Sequence, residues 1–116
     1  MQGKRLDRVN QLIKEEISMI LQRELKDPRL GFVTVTEVET SKDLRSAKIF
    51  VSVLGDDAQW KASLAALESA RGFVRNWLRQ HLELRVTPEL DFRPDHSLEH
   101  AARIQSLLKQ VRAPGS

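Results

Sequence analysis

The chain has 116 residues, 41% of them hydrophobic and 30% charged, which fits one globular domain with a modest core. It has no cysteine, which excludes a disulfide framework, a thiolate metal site and a cysteine nucleophile. No apolar run reaches bilayer length, and the basic start "MQGKRLDRVNQ" has no apolar core behind it for a secretory signal, so a cytoplasmic protein with no membrane partner is expected.

The net charge is +3, and its distribution says more than its size. Residues 61–85 carry Lys61, Arg71, Arg75, Arg79 and Arg85 against Glu68 and Glu83, and residues 1–29 also carry a basic excess. Such an excess suits a polyanionic partner.

The first element runs from about Lys4 to Leu25. Leu6, Val9, Leu12, Ile13, Ile17, Ile20, Leu21 and Leu25 recur at steps of three and four, the mark of an amphipathic helix. "KDPRLG" stops it, because Pro28 disfavours helix at the residue before it. "FVTVTEVETS" (32–41) is β-branched and alternating and predicts a strand. After the polar turn "SKDLRS", "AKIFVSVL" (47–54) predicts a second strand, antiparallel to the first, with Ala47, Ile49, Val51 and Val53 on one face. Asp56, with Gln59 three residues on, can form a capping box for the next helix. Trp60, Leu64 and Leu67 are its predicted buried stripe, which resumes after Gly72 as Phe73 or Val74, Trp77, Leu78 and Leu82.

"TPELDFRPD" (87–95) predicts a short third strand, with Leu90 and Phe92 on one side and a proline near each end. A helical crossover before it favours parallel pairing with the second strand. "SLEHAARIQSLLKQV" predicts a last helix with Leu98, Ala101, Ala102, Ile104, Leu107, Leu108 and Val111 as its apolar positions, and "RAPGS" a frayed tail. The expected architecture is α+β, in the order α-β-β-α-kink-α-β-α. One domain spans 1–116, ordered from about 4 to 111, with a three-stranded sheet covered by helices on one face.

Three groups of residues invite a chemical reading. The first is Ser69-Ala70-Arg71-Gly72. A glycine inside a helix costs about 1 kcal/mol relative to alanine. It can mark close helix packing, or a kink whose exposed N–H groups and partial positive charge suit phosphate. Arg71, Arg75 and Arg79 follow at helical spacing and extend about 12 Å, enough to track a few phosphates. The second is His96-Ser97-Leu98-Glu99-His100, which has the HxxEH letters of a zinc peptidase. It lies where a helix only begins and lacks a third ligand after Glu99, so a capped first turn of helix explains it better. The third is the basic start, Lys4, Arg5 and Arg8, which could extend the arginine surface. Phe32, Phe50, Phe73, Phe92, Trp60 and Trp77 mostly fall at core-like positions, which argues against base stacking on an open sheet.

The order of elements and the kink resemble a type II KH domain, an RNA-binding module whose hallmark is a GxxG loop. Here Ser69 stands at the first position of that tetrad, and Ala70-Arg71-Gly72 gives an AxG variant. That variant resembles the ribosome-binding factor A family of bacterial assembly factors. "RLDRVNQLIKEEISMIL", "LKDPRLGFVTVTEVETSKDLRSAKIFVSV" and "PELDFRPDHSLEHAARI" carry the likeness along about residues 4–111.

The resemblance implies a non-enzymatic, monomeric factor with no cofactor and no metal. Such a factor binds the immature small (30S) subunit and assists late maturation of 16S rRNA, above all in the cold. Ala70, Arg71, Gly72, Arg75, Arg79, Lys4, Arg5 and Arg8 would contact RNA. Implied partners are the subunit, its RNA and other assembly factors, such as a GTPase that triggers release. A protein-interaction domain of KH shape without RNA binding, and a small zinc hydrolase through His96 and His100, are the alternatives.

Overall fold

A computed structural model describes residues 2–112. Helix α1 spans Gln2–Met19 and ends in one π-helical turn, Ile20–Glu24. Strands β1 (Val33–Thr40) and β2 (Ser46–Val53) follow, then helix α2 (Asp57–His81), strand β3 (Glu89–Pro94) and helix α3 (Ser97–Arg112). Apart from Arg112, the expected frayed tail lies outside the described residues.

The apolar stripe of α1 buries Ile13, Ile17, Ile20 and Leu21. These positions, four, seven and eight residues on from Ile13, share one face of a helix. The π turn that ends the helix is closed by Leu25 N–H to Ile20 O at 3.0 Å. Leu25 is then extended. The Lys26–Gly31 connection is pinned to α2. Gly31 N–H donates to the Ser63 hydroxyl at 3.1 Å, and Ser63 is wholly buried.

The sheet has the order β1-β2-β3. β1 and β2 are antiparallel, and β2 and β3 are parallel, as the crossover through α2 predicts. Ala47, Ile49, Val51 and Val53 of β2 are buried on one face. In β1 the buried residues are Val35 and Val38, three apart, because the register slips between Val35 and Glu37. The extra residue, Thr36, is thereby re-aimed. Its hydroxyl donates to the Asp95 carboxylate at 2.6 Å, tying β1 to the far end of β3.

Asp56 and Gln59 make the predicted capping box, at 2.9 and 3.1 Å. Gly55, at φ 143°, sits where a Cβ would collide with the Gln59 side chain, so the box needs glycine there. Trp60, Ala66, Leu67, Val74 and Leu78 of α2 are buried, and Leu90 of β3 closes the core beneath them.

Two expectations about this layer are corrected. α2 is one unbroken helix through Gly72, so the described residues form three helices where the sequence suggested four. Its buried positions keep one helical phase from Trp60 to Leu78, and burial of Val74 and Leu78 outweighs the cost of one glycine. The last helix does not cover the sheet. Leu98, Ile104, Leu107 and Leu108 are each more than half exposed, and the hydrogen bond that ties α3 to the body is in its first turn. There Trp60 Nε1–H donates to Glu99 Oε1 at 2.9 Å, and the Trp60 and His96 rings lie 4.2 Å apart. Phe32 and Phe73 also leave the core, at 81% and 47% exposure.

Candidate nucleic-acid interface

Arg71, Gly72, Arg75 and Arg79 line one open concavity of about 600 Å3 on α2, together with Glu68, Asn76 and Glu89. The helix gathers them, because residues three and four apart share a face. Beyond its two neighbours and the helix's own backbone, no heavy atom lies within 4 Å of the place a Gly72 Cβ would occupy. Close helix packing therefore does not explain the glycine. Nor does a free helix end, since the backbone N–H groups here are inside an intact helix. Gly72 leaves a bare stretch of helix surface at the floor of an arginine-rimmed concavity.

The three arginines are not equivalent. Arg75 is partly a structural residue. Its Nε–H and Nη2–H donate to the carbonyls of Pro88 and Thr87 at 3.1 and 3.0 Å, holding the chain at the start of β3. It also stands 3.5 Å from Glu89. Arg71 pairs with Glu68 at 3.2 Å, one helical turn away. Arg79 donates to the Asn76 amide oxygen at 2.6 Å. Three cations and two carboxylates leave the concavity a modest positive balance.

Arg71 and Arg79 therefore remain the groups most able to turn to an incoming phosphate. Exchanging an exposed ion pair for a phosphate contact costs little. The carboxylates and the asparagine were missed in the sequence, although the Glu68-to-Arg71 spacing was a readable signal.

Ala70 is placed differently from the expectation. It is half-buried and packs against the core, and it does not line this concavity. Lys4, Arg5 and Arg8 are exposed on α1, but they do not line the concavity of α2. Arg5 lines a separate one with Leu6, Lys42, Asp43, Leu44, Arg85 and Val86. The sequence had linked neither Lys42 nor Arg85 to Arg5, since the three come from different elements.

The HxxEH stretch is used for structure. Glu99 accepts from Trp60 and, through its second oxygen, lies 3.1 Å from His96 Nδ1. Ser97 N–H is satisfied by Asp95, which is the expected capped first turn. Among the described residues no group of three or more histidine, cysteine, aspartate or glutamate side chains is placed to hold a metal ion.

The family model for ribosome-binding factor A matches residues 5–108. A ribosome-binding factor A of Halothermothrix orenii is 50% identical over 112 residues, which is 97% of this chain and 92% of that protein. That of Brevibacillus brevis is 46% identical over 111 residues, 96% of this chain and 92% of that one.

Among solved structures, ribosome-binding factor A of Thermus thermophilus superposes with a TM-score of 0.69 at 27% identity, covering 77% of this chain and 94% of that chain. A homology model of the Thermus thermophilus factor, fitted into a cryo-EM map of its complex with 30S, has a TM-score of 0.63 at 28% identity and covers 74% of this chain and 90% of that chain. Sequence order, sheet topology and these likenesses agree, and this chain belongs to the ribosome-binding factor A family.

Proposed function

We propose that this chain is a non-enzymatic factor that binds the immature small ribosomal subunit in the cytoplasm and assists late maturation and processing of 16S rRNA. One observation carries the RNA-binding part: a bare glycine surface on α2, rimmed by Arg71, Arg75 and Arg79 in a single concavity. Arg71 and Arg79 meet phosphates, Gly72 gives the sugar-phosphate backbone room to approach, and Arg75 holds the wall. The factor acts as a monomer without cofactor. It matters most in the cold, when misfolded RNA escapes slowly, and it leaves the subunit through the action of another assembly factor such as a GTPase. The family name and the 30S complex of a relative support the choice of partner.

Co-sedimentation with free small subunits, large subunits and whole ribosomes tests this reading. The wild-type chain travels with small subunits alone. Arg71→Glu with Arg79→Glu loses that association. The log of affinity falls with the log of salt at a slope of about −2, on the single-strand rule, for two to three neutralised phosphates. Full association by the double variant would replace this reading with a KH-shaped protein-interaction domain.

A further inference from the structure

The cations that α1 contributes do not join the arginine row. Arg5 of α1, Lys42 of the β1–β2 hairpin and Arg85 of the α2–β3 connection surround a concavity of about 250 Å3, whose walls include Leu6, Leu44 and Val86. The one acid on its rim, Asp43, is already engaged. The Ser41 hydroxyl donates to it at 2.6 Å and Arg45 N–H at 3.1 Å. The surface is thus cationic at the rim and aliphatic on the walls.

The hairpin that builds it is closed by hydrogen bonds of its own. Leu44 N–H reaches Ser41 O at 2.9 Å, and Ser46 N–H reaches the Ser41 hydroxyl at 3.1 Å. Leu44 itself sits at φ 64° and is the only non-glycine residue with positive φ among those described. The left-handed region suits glycine or asparagine and strains a leucine. A turn with only a fold to satisfy has cheaper residues available. A leucine there keeps a branched apolar group in the concavity at the expense of backbone strain, and such strain collects at ligand-contacting sites.

We infer that this concavity is a second RNA-binding surface, which takes one unstacked nucleotide of a single strand, with the base against Leu6, Leu44 and Val86 and the flanking phosphates on Arg5, Lys42 and Arg85. Its volume is below that of sites for drug-sized ligands and fits a base with its ribose, not a duplex. Splayed bases of single strands are the usual targets of specific RNA recognition. A purely acidic peptide would satisfy the cations and leave the aliphatic walls uncovered. The inference shares RNA as partner with the proposed function, but rests on other residues.

The test is a titration of the full chain, followed by the methyl resonances of Leu6, Leu44 and Val86. The probes are a short single-stranded RNA of mixed sequence, the same strand annealed to its complement, and polyglutamate. Only the single strand is expected to shift all three residues. Lys42→Glu with Arg85→Glu is expected to remove the shifts and weaken binding by about tenfold. Leu44→Asn takes the left-handed backbone without strain. It is expected to weaken the single strand severalfold while the melting temperature is held or raised.

Arg71→Glu with Arg79→Glu should leave the three shifts in place, which separates this surface from the α2 row. Absence of shifts with the single strand, or equal shifts with duplex or polyglutamate, overturns the inference whatever happens to small-subunit association.

Discussion

Gly72→Ala separates the two consequences of the bare helix surface. The helix is continuous at this position, Gly72 is not at positive φ, and a methyl group there meets no atom within 4 Å beyond its two neighbours and the helix's own backbone. Nothing in the fold opposes the methyl. Alanine in a helix interior is favoured over glycine by about 1 kcal/mol, mostly through the entropy of the unfolded chain. For a domain of this length the unfolding entropy turns that gain into a rise of about 4 °C in melting temperature, read by circular dichroism at 222 nm. The same methyl occupies the floor of the arginine-rimmed concavity. If a sugar-phosphate backbone rests there, co-sedimentation with small subunits weakens while the protein becomes more stable. A melting temperature unchanged or lowered by Gly72→Ala would refute the continuous helix. A stabilised protein with undiminished association would refute the role assigned to the bare surface.

Other substitutions test the remaining assignments. Arg75→Ala leaves the Thr87 and Pro88 carbonyls without their partner and should cost about 1–2 kcal/mol in denaturant unfolding. Arg79→Ala, which gives up only an exposed contact with Asn76, should stay within about 0.5 kcal/mol of wild type. Hydrogen bonds from the Thr36 hydroxyl and then from Ser97 hold the Asp95 carboxyl below its ordinary 3.8. The stability it contributes is therefore complete above that value and is lost as pH falls through its lower folded value. Thr36→Val should flatten the acid limb of the stability curve below about pH 4, and an unchanged acid limb would discount the bond. Truncation after His96 removes side chains of α3 that are largely exposed, together with the Glu99 bond to Trp60. The expected loss is about 1 kcal/mol, and a much larger loss in a thermal melt would show α3 packing on the body.

The strands, the β1–β2 hairpin and the capping box were legible because each depends on neighbours in sequence, and the parallel β2–β3 pairing because a helical crossover leaves few alternatives. Alternation fixed the faces of β2, and Asp56 with Gln59 fixed the start of α2. Gly72 was misread because a glycine penalty says only that a helix is weakened, not that it breaks. The better signal was the phase of Trp60, Leu67, Val74 and Leu78, which runs through Gly72 without a slip. The π turn at Ile20 and the bulge at Thr36 each insert one residue into a regular pattern, and their position depends on what packs opposite. The 3.6-residue period of α3 is real, but periodicity marks an apolar side without naming what covers it. The arginine row was legible as a row. That Arg75 serves the Thr87 and Pro88 carbonyls was not, since those groups come close only when β3 returns beside α2.

The partners of the arginines bear on how the proposed interface would work. A phosphate arriving at Arg71 competes with Glu68, and one arriving at Arg79 competes with Asn76. Each exchange replaces an exposed contact worth between zero and about 1 kcal/mol, so it is permitted but gains little. Glu89 stays beside Arg75 and repels a phosphate placed deeper in the concavity. Two such contacts cannot hold a flexible RNA strand tightly, because ordering the strand costs more than they return. They can hold an RNA backbone already fixed in position, where that ordering has been done by the particle. At the proposed interface, the mixed charge of this surface would therefore favour a folded subunit over free RNA, and selectivity for the particle would follow from weak contacts made to a preorganised partner.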